Sequence, residues 1–172
     1  MLILVSGGSG SGKSAFAESL IADSPIARRI YLATMRVWDE EGRARVARHR
    51  ALRAGKGFET VECPLDLGSA ALPPGCAVLL EDLSNLLLNE RFAAPSGAGR
   101  VLDGVKRLAD TAALAVVVTN ELCSDGIRYD PDTAAYLEEL SCLNRAVAAG
   151  ADAVYEVVCG LPICWKGGGP IC

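Results

Sequence analysis

Residues 7–14 read GGSGSGKS, and this short stretch decides the fold of the chain. It satisfies the spacing G-x-x-x-x-G-K-[ST] through Gly7, Gly12, Lys13 and Ser14. Glycines let a backbone wrap around a phosphate with its N–H groups pointing inward, the lysine reaches the β- and γ-phosphates, and the next hydroxyl binds Mg²⁺. The pattern therefore predicts a nucleoside triphosphate site with Lys13 as a catalytic cation. The predicted nucleotide-binding residues of this loop are Gly7, Gly8, Ser9, Gly10, Ser11, Gly12, Lys13 and Ser14.

The residues on either side of this loop have the patterns of a strand and a helix. Leu2–Ser6 (LILVS) is a short apolar run typical of a buried strand, and Ser14–Ile21 (SAFAESLI) is typical of a helix. A helix that begins at the end of such a loop points the positive end of its dipole at the phosphates. This context supports the motif against a flexible Gly/Ser segment that matches it by accident.

Strand and helix patterns alternate along the rest of the chain. Four further apolar runs are predicted to be buried strands, namely Ile30–Ala33, Ala77–Leu80, Ala115–Thr119 and Val154–Val158. Two apolar stripes have helical spacing and are predicted to pack in the core; they are Val101, Val105, Leu108 and Ala112, and then Tyr136, Leu140, Leu143 and Val147. The stretch PSGAG at Pro95–Gly99 is predicted to be a surface loop. Apolar strands between helices predict an α/β fold whose mostly parallel sheet is covered by helices on both faces.

Length and composition exclude several classes of protein. The chain has 172 residues, of which 51% are hydrophobic, and its net charge is −4. It is expected to be one domain, residues 1–172, with a loose tail at 167–172. The hydrophobic fraction excludes intrinsic disorder, and no apolar run approaches the ~18 residues of a membrane span. Met1–Val5 is too short for a signal-peptide core, so the expected location is the cytoplasm with the seven cysteines reduced. The acidic balance gives no reason to expect a nucleic-acid partner.

A carboxylate is expected near the metal at the end of another central strand. The sequence AVLLEDLSN at Ala77–Asn85 supplies two candidates, Glu81 and Asp82. Side chains alternate along a strand, so only one of the two faces the phosphate loop. We favour Glu81, which with Ser14 would hold Mg²⁺. Asp82 then caps the following helix or supports the ligand beside it.

The single histidine, His49, lies in a strongly basic segment. From Arg28 to Lys56 the chain has nine basic and three acidic residues, a net charge of +6. Residues 40–54 have a helical pattern that places Arg45, His49 and Arg53 on one face. Neighbouring cations favour the neutral, nucleophilic imidazole and can hold a polyphosphate. From the residues alone, we favour an ordinary surface histidine over a catalytic one.

Taken in order, these segments resemble a known family, the bifunctional adenosylcobinamide kinase/adenosylcobinamide-phosphate guanylyltransferases of cobalamin biosynthesis. The resemblance covers roughly residues 2–166. It is carried by ILVSGGSGSGKS, YLATMRVWDEEGRARVARHRALR, FETVECPLDL, VLLEDLSNLLLNE, VVVTNE and LNRAVAAGADAVYEVVCGLPICWK. The chain departs from the family after Glu121, where residues 122–131 replace a Gly-rich stretch.

The resemblance implies a RecA-like P-loop NTPase domain, a homotrimer and two reactions. ATP or GTP would phosphorylate adenosylcobinamide with Mg²⁺ as cofactor, and His49 would then carry GMP from GTP to adenosylcobinamide phosphate, giving adenosylcobinamide-GDP. Carried over by position, the nucleotide-binding residues implied outside the phosphate loop are Ala33, Thr34, Met35, Arg50, Ala51, Leu52, Arg53, Glu62 and Glu81.

Two other hypotheses come from the residues. One is a P-loop kinase of another small metabolite, which needs no histidine intermediate. The other is a non-enzymatic, nucleotide-dependent RNA-binding module that uses the basic segment. Aromatic residues are only 5% of the chain, and this scarcity disfavours the RNA-binding module because single-strand binders stack bases on aromatic side chains.

Overall fold

A computed structural model of the protein describes residues 1–36, 40, 55–93, 97–122 and 126–167. Several predictions fall outside this part of the chain. They are the helix proposed around His49, the nucleotide contacts assigned to Arg50, Ala51, Leu52 and Arg53, and nearly all of the proposed tail, residues 168–172.

Within the described residues, seven strands form one sheet in the order β3-β2-β4-β5-β1-β6-β7. Their bounds are β1 (Leu2–Ser6), β2 (Arg29–Ala33), β3 (Phe58–Glu62), β4 (Ala77–Glu81), β5 (Leu114–Val118), β6 (Ala153–Val158) and β7 (Leu161–Lys166). Neighbouring strands run parallel from β3 through β6, and β7 pairs antiparallel with β6. The prediction of a mostly parallel sheet is therefore confirmed, and the five predicted strands agree with the structure to within about a residue at each end.

Two strands, β3 and β7, were not predicted from the sequence. Both lie at edges of the sheet, where one side of the strand has no neighbour. Side chains of β3 are half-buried or exposed, and those of β7 are all exposed, so neither strand reads as an apolar run. Pro162 lies within β7, and an edge strand tolerates it because one row of N–H groups needs no partner in the sheet.

Four helices cover the two faces of the sheet in the described residues. They are α1 (Lys13–Ala22), α2 (Leu83–Ala93), α3 (Gly97–Thr111) and α4 (Pro131–Gly150). Helix α1 packs on one face through Ala17, Leu20 and Ile21. Helices α2, α3 and α4 pack on the other face, and both predicted apolar stripes take part in that core. The prediction of helices on both faces is confirmed, and none of the described helices is long and apolar enough to cross a membrane.

The predicted surface loop at Pro95–Gly99 is wrong for its last three residues. Helix α3 begins at Gly97, which is buried, while residues 94–96 lie outside the described part of the chain. A Cβ atom on Gly97 would lie 3.0 Å from the backbone nitrogen of Arg91 and 3.1 Å from the carbonyl carbon of Glu90. Glycine at this position thus reflects the close approach of α3 to the end of α2.

Helix α3 contains a second glycine that is required by packing. A Cβ atom on Gly104 would lie 2.8 Å from Cβ of Leu67, which belongs to the short 3₁₀ helix Leu67–Ser69. Leu67 is itself buried, so it has little room to move. The face of α3 at Gly104 is therefore fitted to this 3₁₀ turn.

We expect Gly104→Ala to lower the free energy of unfolding by about 1–3 kcal/mol, because overpacking outweighs the better helix propensity of alanine. Gly99→Ala is the matched control in the same helix, since no atom lies within 4 Å of its added Cβ. The control should leave stability unchanged or raise it by up to about 1 kcal/mol. Urea denaturation of both variants measures the difference, and equal stability would contradict the packing argument.

Candidate active site

The phosphate loop joins β1 to α1 and is held in shape by the β6–β7 hairpin. Gly12 has φ 93°, in the left-handed region that favours glycine, and a Cβ atom there would lie 3.2 Å from Cα of Gly160. The backbone N–H of Gly160, in the hairpin turn, donates a hydrogen bond to the carbonyl of Ser11 at 2.8 Å. A glycine at position 12 is therefore needed both for the turn and for contact with the hairpin.

Lys13 lies across the phosphate loop with its side chain folded back on it. The residue is buried, with 8% of its surface exposed. Its Nζ donates a hydrogen bond to the carbonyl oxygen of Gly8 at 3.2 Å. A buried ammonium group with one neutral acceptor can exchange this carbonyl for a phosphate oxygen, which is a stronger, charged partner.

Ser14 and Glu81 meet between α1 and the end of β4. The hydroxyl Oγ of Ser14 donates to Oε1 of Glu81 at 2.5 Å. The other carboxylate oxygen, Oε2, is buried and accepts no hydrogen bond. Burial raises the pKa of Glu81, and the hydrogen bond from Ser14 opposes that rise. A buried carboxylate with an unsatisfied oxygen beside a serine hydroxyl has the donor chemistry that a hard cation prefers.

Asp82 plays a different part, as strand alternation predicted. Its Oδ1 accepts from the backbone N–H of Asn85 at 2.6 Å and from Oγ of Ser84 at 2.7 Å, which caps α2. Its Oδ2 accepts from the side-chain amides of Asn85 and Asn120 at 3.2 Å and 3.1 Å. With both oxygens fully used, Asp82 fixes the start of α2 and leaves Glu81 to face the loop.

Three predicted nucleotide-binding residues, Ala33, Glu62 and Glu81, form a row across the sheet. Ala33 pairs in register with Glu62 on one side and with Glu81 on the other. Since neighbouring strands are about 4.8 Å apart, Glu62 lies roughly 10 Å from Glu81 at the same edge of the sheet. The structure thus places Glu62 in the same row as Glu81 but does not bring it to Ser14.

Thr34 supports the end of β4 through hydrogen bonds, and its side chain is fully buried. Its Oγ1 lies 3.0 Å and 2.9 Å from the carbonyl oxygens of Glu81 and Asp82, which share its single hydroxyl hydrogen. It also accepts from the backbone N–H of Asp82 at 2.8 Å. These bonds fix the strand end that presents Glu81, and the nucleotide contact assigned to Thr34 stays a prediction. The neighbouring Met35 is half-buried, and a nucleotide contact from it stays a prediction.

A cleft of about 380 Å³ joins these groups and adds four residues that were not predicted as site residues from the sequence. Besides the phosphate loop and Glu81, it is lined by Ala15, Glu18, Tyr31 and Lys56. Lys56 forms an ion pair with Glu18, and its carbonyl accepts from the guanidinium of Arg29 at 3.3 Å. Glu18 follows Ser14 by four residues, so helical spacing could have placed it on the same face. Lys56 ends the basic segment whose charge indicated a polyanion, but its own place in the cleft depends on the fold.

The described residues contain no cluster of three or more His, Cys, Asp or Glu side chains that could hold a metal ion. The protein groups placed to bind a cation are the Ser14 hydroxyl and the Glu81 carboxylate. Oxygens of a bound nucleotide and water would have to complete the shell, which is how Mg²⁺ is usually held at phosphate sites.

Comparison with known proteins adds the chemistry to this geometry. The family model described as cobinamide kinase / cobinamide phosphate guanyltransferase matches residues 3–165. The chain belongs to this family. It is 34% identical to the bifunctional adenosylcobalamin biosynthesis protein CobU of Salmonella typhimurium, covering 95% of this chain and 98% of that protein. It is 33% identical to the bifunctional adenosylcobalamin biosynthesis protein CobP of Pseudomonas aeruginosa, covering 95% and 96%.

Two solved structures are similar in fold. The flagellar accessory protein FlaH of Methanocaldococcus jannaschii matches with a TM-score of 0.57 and 12% identity, over 97% of this chain and 78% of that one. An ATPase of a bacterial type III secretion system matches with a TM-score of 0.53 and 11% identity, over 90% and 50%. The predicted P-loop NTPase fold is confirmed. Family membership confirms the resemblance stated from the sequence, and with it a transferase of cobalamin biosynthesis.

We expect Glu81→Gln to reduce Mg²⁺-dependent turnover roughly 100-fold, since the amide keeps the size of the side chain but not its charge. Affinity for nucleotide measured without Mg²⁺ should change far less. Asp82→Asn is the neighbouring control and should mainly lower stability, by about 1–3 kcal/mol. The new NH₂ group would face hydrogen-bond donors that a carboxylate oxygen now accepts from. A severe Asp82→Asn variant beside a mild Glu81→Gln variant would reverse the assignment of the two carboxylates.

The Glu81→Gln variant should also change how the stability of the nucleotide-free protein depends on pH. Burial raises the pKa of Glu81 above its unfolded value, so the folded state holds its proton to higher pH than the unfolded state. Wild-type stability should therefore fall as pH rises from the unfolded to the folded pKa, and Glu81→Gln should lack this fall. Urea midpoints of the two proteins compared across that pH range measure the effect. At neutral pH the Glu81→Gln variant should be the more stable of the two.

We expect Lys56→Ala to weaken binding of Mg-GTP roughly tenfold, because the cleft loses a cation and Glu18 is left facing the phosphates. Glu18→Gln should act in the opposite direction and leave affinity unchanged or tighter. Lys106→Ala is the control, because Lys106 pairs with Asp103 on α3, away from the cleft. Calorimetric titration of the three variants gives the affinities, and a Lys56→Ala variant with wild-type affinity would show that the lysine only packs beside the site.

Proposed function

We propose that this chain catalyses two successive transfers at the carboxyl edge of the sheet. It phosphorylates adenosylcobinamide with ATP or GTP, and it then transfers GMP from GTP to the adenosylcobinamide phosphate. Family membership supports both activities. The observation that carries the phosphoryl-transfer site is the contact between Ser14 and Glu81, with Oε2 of Glu81 buried and unpartnered.

In the first transfer, the hydroxyl oxygen of adenosylcobinamide attacks the γ-phosphorus of the nucleotide. The bond from that phosphorus to the bridging β-oxygen breaks, a nucleoside diphosphate leaves, and the hydroxyl proton is released. The N–H groups of the phosphate loop and the ammonium of Lys13 stabilise charge on the phosphate oxygens. Mg²⁺ supplies further neutralisation of that charge when it is bound. The Ser14 hydroxyl and the ionised Glu81 carboxylate fit the ion, because they are an adjacent hard-oxygen pair with one oxygen free.

In the second transfer, we propose His49 as the nucleophile. Its imidazole nitrogen attacks the α-phosphorus of GTP, a P–N bond forms, and pyrophosphate leaves with the electrons of the α–β bond. A phosphate oxygen of adenosylcobinamide phosphate then attacks the same phosphorus and breaks the P–N bond, which returns the imidazole. This covalent route divides one displacement into two easier ones. The support is the family resemblance and the basic surroundings of His49, with Arg50 and Arg53 close in sequence.

We propose that the molecule is a cytoplasmic homotrimer. The cytoplasm supplies both nucleoside triphosphates that the reactions use. Self-association is supported by the β6–β7 hairpin, which leaves large apolar side chains exposed at the edge of the sheet: Val158, Leu161, Ile163 and Trp165. Leu161 and Trp165 are 69% and 68% exposed. A group of exposed apolar side chains of this size is typical of a surface that contacts another protein.

We expect the protein incubated with Mg-GTP alone to gain the mass of one GMP on His49, detected by intact mass spectrometry. A P–N bond is labile in acid and comparatively stable in base, so the adduct should disappear after brief acid treatment. His49 is the one histidine of the sequence, so His49→Ala leaves no substitute imidazole.

His49→Ala should lose guanylyl transfer and keep measurable kinase activity, because phosphoryl transfer to a hydroxyl needs positioning and Mg²⁺ rather than a protein nucleophile. Lys13→Ala, the comparison variant, should lose both activities. Wild-type protein that converts adenosylcobinamide phosphate but never carries the added mass would overturn the covalent route, as would a fully active His49→Ala.

A further inference from the structure

Asn120 follows β5, the strand that separates the two sources of the proposed magnesium ligands. Strand β5 lies between β4, which ends in Glu81, and β1, which leads into the phosphate loop and Ser14. Neighbouring strands are about 4.8 Å apart, so the ends of β4 and β1 are roughly 10 Å apart with the end of β5 between them. Glu81 and Ser14 meet across this gap. The residues that follow β5 are therefore placed to set the distance between the two groups.

The backbone on either side of Asn120 is bonded to the strand and the loop that carry the phosphate site. The N–H of Thr119 donates to the carbonyl of Val5 at 3.0 Å, and the N–H of Glu121 donates to the carbonyl of Gly7 at 3.1 Å. Gly7 is the first residue of the phosphate loop. These two bonds fix the backbone of Asn120 relative to that loop, so its side chain starts from a defined position.

The side chain of Asn120 is bonded to the residues that follow Glu81. Its Nδ2 donates to Oδ2 of Asp82 at 3.1 Å and to Oγ of Ser84 at 2.6 Å. Oγ of Ser84 donates in turn to Oδ1 of Asp82 at 2.7 Å, which closes a ring of three side chains. Both N–H groups of the Asn120 amide are used in this ring. One of the acceptors is a carboxylate, so that hydrogen bond is stronger than one between neutral groups.

The position of Glu81 matters because Mg²⁺ tolerates little displacement of its ligands. The ion demands a near-octahedral shell with oxygens about 2.1 Å away. Groups that orient a metal ligand therefore contribute to affinity, and their removal weakens metal binding by about 10–100-fold. Asp82 is the next residue after Glu81 in the chain. A shift of Asp82 would carry the carboxylate of Glu81 away from Ser14, which now donates to it at 2.5 Å.

We propose that Asn120 is a positioning residue for Mg²⁺, which sets the distance of Glu81 from the phosphate loop by holding Asp82 and Ser84. This inference rests on the proposed function, in which Ser14 and Glu81 hold the ion. Asn120 touches neither the ion nor the substrates and acts through the strand end that it fixes. Its amide joins the strand end that carries Glu81 to the backbone that is bonded to the phosphate loop.

The test measures how much Mg²⁺ strengthens the binding of GTP. Calorimetric titration with GTP is carried out once with EDTA and once with excess Mg²⁺, and the ratio of the two dissociation constants is the gain from the metal. We expect Asn120→Ala to lower this gain about tenfold, as for other groups that orient a metal ligand. GTP affinity in EDTA should stay at the wild-type value, because the backbone bonds that hold the phosphate loop are kept.

Thr119→Val is the matched control at the same strand end. Oγ1 of Thr119 donates to the side-chain carbonyl of Asn144 at 2.8 Å, a bond that leads to α4 and not to the start of α2. Valine removes this hydrogen bond with little change of size, so the control should lose stability and keep the wild-type gain from Mg²⁺. A loss of gain equal to that of Asn120→Ala would overturn the proposal, since any weakening of the strand end would then act on the metal.

A second variant covers the case in which Asn120→Ala folds poorly. Ser84→Ala removes another member of the ring and should lower the gain from Mg²⁺ in the same direction. The double variant should lose less than the product of the two single losses, because both side chains act on Asp82. A wild-type gain in both single variants, beside a lost gain in Glu81→Gln, would overturn the positioning role.

The wild-type protein separates this inference from the function on which it rests. GTP binding that Mg²⁺ does not strengthen would overturn the metal site and the role of Asn120 together. A normal gain from Mg²⁺ in wild-type protein that does not phosphorylate adenosylcobinamide would overturn the proposed function alone.

Discussion

The hydrogen bond from Ser14 to Glu81 is the interaction around which the site is organised. It joins the first turn of α1 to the end of β4, two elements that are 67 residues apart in the chain. The carboxylate is buried with one donor for two oxygens, an arrangement that costs stability in the free protein. A continuous apolar core on each face of the sheet offsets this cost. A cation bound between the two groups, as proposed above, would recover this cost.

A network of neutral and charged groups keeps that strand end in place. Thr34, the residue after β2, bonds to it, and Asp82 begins α2 while accepting hydrogen bonds from Ser84, Asn85 and Asn120. Both carboxylate oxygens of Asp82 and the hydroxyl of Thr34 have hydrogen-bond partners within the protein, whereas Oε2 of Glu81 has none. Adjacent carboxylates in one short sequence therefore have opposite tasks, one in holding the fold and one in facing the cleft.

Much of this arrangement could be predicted from local sequence. The loop GGSGSGKS, the apolar runs of β1, β4 and β5 and the stripes of α3 and α4 all carry patterns with short-range physical causes. The edge strands β3 and β7 could not be found in this way, because half-exposed strands lack an apolar run. Pairing of Lys56 with Glu18, 38 residues away, follows from the paths of β2 and β3 and leaves no trace in either local sequence. Sequence patterns indicated which elements exist, and packing decided which side chains share the cleft.

The contact between the hairpin turn and the phosphate loop has a consequence for binding energetics. A free loop of eight residues rich in glycine and serine would lose about 1–2 kcal/mol of conformational entropy per residue when it closed around a ligand. Here the N–H of Gly160 already holds the carbonyl of Ser11, and the N–H of Glu121 already holds that of Gly7. The loop is ordered when the chain folds. The loss of its conformational entropy therefore lowers the stability of the fold and does not weaken nucleotide binding. Two residues outside the motif, Gly160 and Glu121, thereby preorganise the phosphate loop for nucleotide binding.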